Sequence, residues 1–319
     1  MPESKSIAAV AENRRLTKRE LVVKNLKKNL WLYVMFFPVI VYYIIFKYAP
    51  MFGIVIAFKD YNAFRGIWAS EWVGFKHFIN FFESPYFWRL IRNTFLISFY
   101  GLVWGFPAPV ILALLLNEFK DGPFKKITQT ITYLPHFVST VVIVSILVSM
   151  LSPSNGVINN LIEALGGTRT YFMNDPKYFR TIYTAMGIWQ GVGWGSIIYL
   201  AALTGVDSEL YEACLIDGGG RLRQTWHITL PGIASTIIIQ LIFRVGNLLT
   251  VGSDTIILMY NPATYETADV ISTYVYRRGL VEADYSFSTA VGLFNSIIAL
   301  ILLTTTNKLS KTFSETSLW

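Results

Sequence analysis

ELYEACLIDGGGRLRQTWHITLP, residues Glu209 to Pro231, is a polar interval between two long apolar blocks. Its pattern predicts a short helix over about Ser208 to Ile216, a glycine turn at Gly218 to Gly220, and a second helix stopped by Pro231. Glycine reaches positive φ without steric cost and so allows a tight reversal, while the residue before a proline is pushed away from helix. The stretch reads as a helical hairpin projecting from whatever medium holds the flanking blocks.

That medium is a lipid bilayer. The 319 residues are 53% hydrophobic, 16% aromatic and only 15% charged, against about 25% charged in an ordinary soluble domain. So few charges cannot solubilise so much apolar surface. Six apolar blocks run at about Leu30 to Phe46, Phe95 to Leu116, Ile127 to Leu151, Thr181 to Leu203, Leu230 to Leu258 and Ser288 to Thr306. Each approaches the roughly 20 residues that a spanning helix needs. They are apolar on nearly all sides instead of alternating, unlike barrel strands. The predicted class is an all-α polytopic membrane protein with six transmembrane helices. Pro38, Pro107, Pro109 and Pro135 fall in or beside these blocks, where neighbouring helices are expected to satisfy the carbonyls they free.

With the N-terminus inside, segments 1–29, 117–126, 204–229 and 307–319 hold 15 of the 27 Lys and Arg, and the longer outer segments hold 10. This bias puts both termini and the hairpin in the cytoplasm. The expected organisation is a basic segment 1–29, a transmembrane domain 30–310 containing the hairpin 208–231, and a tail 311–319. The net charge of +7 lies mainly beside the apolar blocks, so it marks topology and implies no nucleic-acid partner. Cys214 is the only cysteine and can form no disulfide within the chain. No cleavage pattern follows the first block, which is expected to stay as a helix. The outer aromatics, among them Trp68, Trp72, Phe75, Phe78 and Trp88, suit either an interfacial belt against membrane lipid or the docking of an external partner.

The hairpin resembles the EAA loop of ABC importer permeases, whose pattern is Glu-Ala-Ala, three residues, Gly, nine residues, Ile, one residue, Leu-Pro. Glu212, Ala213, Gly218, Ile228, Leu230 and Pro231 match at that spacing, and Asp217 fits the common Asp-Gly extension. Cys214 replaces the second alanine; it is small and apolar, so docking is expected to survive. The resemblance implies the type I ABC importer (MetI-like) fold in the bacterial inner membrane. It further implies a second homologous permease subunit, two copies of a cytoplasmic ABC ATPase that carry ATP and Mg, and an extracytoplasmic sugar-binding protein. TYLPHFVS (Thr132 to Ser139) and SPSNG (Ser152 to Gly156) look like the branch serving oligosaccharide and polysaccharide uptake. Peptide, amino-acid or ion cargo, or less readily a secondary carrier, are the competing readings.

A cargo path is expected on polar faces within the spans. Gln240, Arg244, Asn247, Val251 and Asp254 share one face if their block is a single helix, and Tyr183, Gly187, Gln190 and Trp194 share another, with Trp189 to one side. Asn295 adds a polar group in the last block. An arginine at mid-span is costly unless it faces a partner or a watery cavity, so Arg244 is a candidate for meeting an acidic sugar. The alternative is interhelical polar bonding with small-residue packing at Gly187, Gly191, Gly193 and Gly195. No phosphate loop is present, and His77, His136 and His227 lack metal-ligand spacing, so ATP, catalysis and metal are assigned to no residue of this chain.

Overall fold

The computed structural model describes residues 27–249 and 251–314. Most of the expected segment 1–29 and part of the tail 311–319 lie outside the described residues. By contact the chain divides into two compact units, Met1–Val55 and Ile56–Trp319. Helix α1 (Leu30–Phe58) starts in the first unit, and within it the apolar window presents no buried residue.

The second unit opens with a short antiparallel pair, β1 (Lys59–Asp60) and β2 (Glu71–Trp72), with Lys59 opposite Trp72. Then follow α2 (Lys76–Glu83), α3 (Phe87–Glu118), α4 (Pro123–Phe137), α5 (Thr140–Met150) and α6 (Val157–Ala164). Next come α7 (Pro176–Leu203), α8 (Ser208–Ile216), α9 (Arg221–Gly232) and α10 (Ala234–Gly246). The order closes with α11 (Ser253–Met259), α12 (Ile271–Tyr276) and α13 (Tyr285–Ser314). By length and composition α1, α3, α7 and α13 can each cross a membrane, and the spans number up to six if the bent pairs α4–α5 and α9–α10 count as one each.

Two of the expected continuous helices are corrected. Ile127 to Leu151 breaks after Phe137 and turns by 100° into α5. Pro135 sits in a 3₁₀ turn, Val138 is extended, and Ser139 caps α5 by accepting from the Val142 N–H. Leu230 to Leu258 is likewise three pieces: α9 and α10 meet at 63° through Ile233, and α10 ends at Gly246, well before α11. Pro231 does not stop its helix but rides inside the last turn of α9.

The helices accommodate several prolines through their own backbone. Widened π turns at Ile44–Tyr48, Gly101–Gly105 and Thr225–Thr229 lie just ahead of Pro50, Pro107 and Pro231. There the Ala49 and Leu230 N–H groups reach five residues back, to Ile44 and Thr225, in place of the four-residue ladder that proline interrupts.

Three buried clusters hold the second unit together, and α3 contributes to each. Ile97 joins Ile143, Phe179, Met186 and Ile256. Leu90 joins Phe81, Ile271, Phe287 and Val291, and Val110 and Ala113 join Tyr199, Leu203 and Ile233. Only 17–28% of the windows in α3, α7 and α13 is buried within the chain, which leaves broad apolar faces for lipid or neighbouring subunits. In hydrocarbon such helices are held by close packing and polar bonds. The α4–α7 crossing is an example: a Cβ on Gly193 would overlap the Thr132 carbonyl, so only glycine fits.

Candidate functional site

The widened turn Gly101–Gly105 opens α3 at the side chain of Arg244 on α10. The Arg244 Nη2 donates to the Gly101 carbonyl at 3.4 Å, and a Cβ on Gly101 would stand 2.8 Å from that nitrogen. Among the described residues no carboxylate lies within ion-pair distance of Arg244. Its guanidinium instead borders a cavity of about 470 Å³ between α3, α7 and the α10–α11 segment, lined also by Ser98, Tyr183, Gln190, Asn247 and Val251. A second cavity of about 470 Å³ adjoins it, sharing Gly105, Pro109, Gly195, Arg244 and Asn247 and adding Trp194 and Gln240.

The two expected polar faces therefore meet, with corrections. Tyr183, Gly187 and Gln190 line the first cavity and Trp194 the second. The helix ends at Gly246, so Asn247 caps it, donating from Nδ2 to the Phe243 carbonyl at 2.9 Å. Val251 still reaches the cavity from the segment beyond, but Asp254 does not and accepts from Ser253 Oγ at 3.2 Å. Trp189 lines neither cavity and is half exposed. Asn295 also lines neither: its Nδ2 donates to the Leu249 carbonyl at 3.4 Å, tying α13 to the segment that follows α10. The glycines of α7 divide by role. Gly193 and Gly195 pack against Thr132 and Pro109, whereas Gly187 and Gly191 have nothing within 4 Å and border open space.

TYLPHFVS forms the bend from α4 to α5 and presses on α7. His136 stacks on Trp194 with centroids 4.6 Å apart, and Gln190 Nε2 donates to the Val138 carbonyl at 3.4 Å. SPSNG wraps Asn159, whose Nδ2 donates to the carbonyls of Leu151, Ser152 and Thr170 at 3.0–3.1 Å. Arg169 clamps the same loop through Pro153 and Ser154, and its hydrogen bond holds the Glu163 carboxyl below its ordinary pKa.

The hairpin begins at Asp207, whose side chain accepts from the Glu209 N–H at 2.9 Å and caps α8. It ends in the reversal that glycine favours: Gly218 has φ +73°, its N–H bonds Leu215 O at 3.0 Å, and the Gly219 N–H bonds Cys214 O at 2.7 Å. Within the expected glycine turn Gly219 is constrained too, because a Cβ there would overlap Cys214 Sγ. Tyr211 Oη and Thr229 Oγ1 tie the two arms at 3.1 Å, and Arg221 meets Glu118 of α3 at 3.2 Å. At the base, Val206, Leu230 and Ile233 pack into the cluster of Val110, Tyr199 and Leu203. Glu212, Ala213, Asp217, Gly218 and Pro231 are exposed, and Cys214, Ile228 and Leu230 are half-buried. Leu215, Ile216, Leu222 and Trp226 stand exposed on the arms, Ile216 at 86%.

Sequence reading also missed a polar staple far from the hairpin. Asp269 is fully buried and pairs with Arg89 of α3 at 3.2 Å and with Arg277 at 2.8 Å, while Thr273 Oγ1 donates to it at 2.9 Å. Burial alone would lower the Arg277 pKa, but the hydrogen bond and charge of Asp269 outweigh it and hold the guanidinium above its ordinary value. Asn93 donates to the Glu266 and Asp269 carbonyls at 2.9 and 3.0 Å and accepts from Arg180 at 2.9 Å. The signal for this network was the set of charged residues beside apolar blocks, but partners some 180 positions apart carry no local pattern.

Residues 105–314 match the family described as binding-protein-dependent transport system inner membrane component. The chain is 47% identical over 294 residues to Protein LplB of Bacillus subtilis (strain 168), covering 92% of each. It is 46% identical over 302 residues to the polygalacturonan/rhamnogalacturonan transport system permease protein YteP of the same organism, covering 95% of this chain and 94% of that one. It also resembles, at 43% identity and a TM-score of 0.85, a chain in the crystal structure of a bacterial alginate ABC transporter in complex with an alginate pentasaccharide-bound periplasmic protein, covering 92% of this chain and 99% of that one. The matched region contains most of the lining of the Arg244 cavity, the TYLPHFVS bend and the hairpin. The chain belongs to the family of binding-protein-dependent transport system inner membrane components.

Proposed function

We propose that this chain is the membrane-spanning permease subunit of an ABC importer for an oligosaccharide or polysaccharide, with uronate-containing glycans as the favoured cargo. It is a transport subunit of the inner membrane and not itself an enzyme. Its companions in this reading are a second homologous permease, two cytoplasmic ATPase copies that hold ATP and Mg, and an extracytoplasmic binding protein that delivers the glycan. The bent pairs α4–α5 and α9–α10 each count as one span, which makes six, with both termini and the hairpin in the cytoplasm. Residues 30–310 form the permease domain between the basic segment 1–29 and the tail 311–319.

The observation that carries the reading is mechanical. The hairpin's base packs into the Val110–Tyr199–Leu203 cluster on α3 and α7, the same two helices that wall the Arg244 cavity. A short helix locked by a capped turn transmits displacement as a rigid body. In this mechanism the exposed Leu215, Ile216 and Leu222 seat in a cleft of the ATPase, and Glu212 meets a basic group there. Closure of the ATPase pair tilts the hairpin, and α3 and α7 shift against α10 around the cargo. Gln190, Gln240 and Asn247 supply hydrogen bonds to hydroxyls, Tyr183 and Trp194 supply ring faces for sugar stacking, and Arg244 supplies charge for a carboxylate.

The test is crosslinking from the exposed tip in the assembled transporter. An Ile216→Cys variant, placed in a Cys214→Ala background, is expected to crosslink to the ATPase and to stay shielded from impermeant thiol reagents added outside. Labelling from outside, or crosslinks to no ATPase, overturns the assignment.

A further inference from the structure

The bend TYLPHFVS meets α7 over a single turn, Gln190 to Trp194. The Val138 carbonyl accepts from Gln190 Nε2 at 3.4 Å, and the Thr132 carbonyl fills the space that a Cβ on Gly193 would need. The His136 imidazole lies flat on the Trp194 indole, with centroids 4.6 Å apart and planes 4° from parallel. Phe137 stands nearly perpendicular to both rings, 5.7 Å from each. The same turn of α7 gives Gln190 to the first cavity and Trp194 to the second.

The backbone that carries His136 is fixed. Pro135 beside it is buried, and the turn Leu134–Phe137 closes with the Val138 N–H bonded to the Pro135 carbonyl at 3.2 Å. Among the described residues the imidazole makes no side-chain hydrogen bond, so ring contact is what it contributes. An indole free to turn about its two side-chain torsions is thereby held in one orientation, by a plate on one face and a second ring set against the pair. Trp194 nevertheless remains 48% exposed and lines the second cavity. With one face covered by His136, the opposite face is left open for a flat ligand. The faces of aromatic rings are negative and attract C–H groups, which a sugar ring presents on its apolar side. A site also binds more tightly when the side chains that touch its ligand are already locked by their neighbours.

We propose that His136 is a positioning residue for the cargo: it holds the Trp194 ring so that the free face stacks on a sugar ring in the second cavity, the sugar becoming the third layer of the stack. This rests on the reading of the chain as a glycan importer. The assay is uptake by the complete transporter in proteoliposomes, with its binding protein, of trigalacturonate and of its carboxyl-reduced form. His136→Ala is expected to lower uptake efficiency, the maximal rate over the half-saturating concentration, by about twofold to tenfold, the cost of ordering one side chain on binding. The factor is the same for both glycans, because the stack meets the ring and not its carboxylate. His136→Phe keeps a flat ring and restores most of the efficiency. In a Trp194→Ala background His136→Ala adds no further loss, since a residue that acts through the indole has no effect once the indole is gone. The His136 side chain is exposed, so its variants keep the wild-type melting temperature. Unchanged efficiency for His136→Ala, a Phe variant as damaged as Ala, or a full further loss in the Trp194→Ala background overturns the positioning role. A wild-type transporter that imports neither glycan refutes the glycan reading and the stack with it.

Discussion

Gly218 offers a clean separation of backbone conformation from packing. Its φ is +73°, yet a Cβ built there meets nothing within 4 Å, so any penalty on substitution is conformational and not steric. An L-residue in the left-handed region costs about 1–2 kcal/mol, and a β-branched one up to about 3, while asparagine loses only a few tenths. The Gly218–Leu215 and Gly219–Cys214 bonds depend on this reversal and open with it. A cost of about 2 kcal/mol lowers the population of the closed turn roughly thirtyfold, and the apparent affinity for a partner that needs the closed turn falls by the same factor when that turn is the minor state. The expected series is Gly218→Asn near wild type, Gly218→Ala intermediate, and Gly218→Val assembled but uncoupled. Glycan-stimulated ATPase and uptake, measured beside basal ATPase and melting temperature in proteoliposomes, read it out. Melting should hardly move, because the turn lies outside the three buried clusters. If Asn proves as damaging as Val, or if Val leaves stimulation intact, the turn does not transmit the stroke.

Three further substitutions bear on the rest of the structure. Gly193→Ala forces a Cβ onto the Thr132 carbonyl, which is backbone and cannot swing away; it should cost about 1–3 kcal/mol, seen as a lowered melting temperature in detergent, and an unchanged melt would mean the α4–α7 crossing is looser than described. Asp269→Asn leaves Arg89 and Arg277 without their counter-charge and should cost about 3 kcal/mol, the lower end for a buried pair because both guanidinia are partly exposed. Rapid proteolysis between α11 and α13 would report it, and wild-type resistance would contradict it. Arg244→Gln should depress uptake of uronate-containing glycans more than of neutral ones, and equal loss for both would show that the charge is not what the cargo meets.

Local chemistry was legible in the sequence, and remote contacts were not. The helix Ser208–Ile216 falls where expected, because the glycine run that ends it acts within a few residues; the Asp207 cap at its start was not read from the sequence. Hydropathy found the apolar middles of α3, α7 and α13 but began each too late. α3 starts at Phe87 and not Phe95 because its first turns carry polar Arg89, Arg92 and Asn93, of which Arg89 and Asn93 bond to the segment Glu266–Asp269. The bend at Val138–Ser139 lies in apolar sequence that reads as unbroken, and Pro135 alone does not reveal whether a helix kinks or stops. The face of Gln240, Arg244 and Asn247 was readable while the helix stayed regular, and periodicity failed at Asp254 because α10 had already ended at Gly246. The pairing of Asp269 with Arg89 depends on topology, which no window of neighbouring residues contains.

The five-residue turn Gly101–Gly105 acts as an offset in the thread of α3. A turn that takes one residue more than the regular spiral rotates everything downstream by about 100°. Upstream of it Leu90 points to Phe81 and Phe287, and downstream Val110 and Ala113 point to Tyr199 and Leu203. Deleting a single residue from the turn would restore ordinary winding. It would swing Val110 and Ala113 off the hairpin's foundation and close the notch that admits the Arg244 guanidinium. One backbone irregularity thus sets both the orientation of the hairpin's seat and the opening beside Arg244, so the two are aligned by construction and can only be re-aimed together.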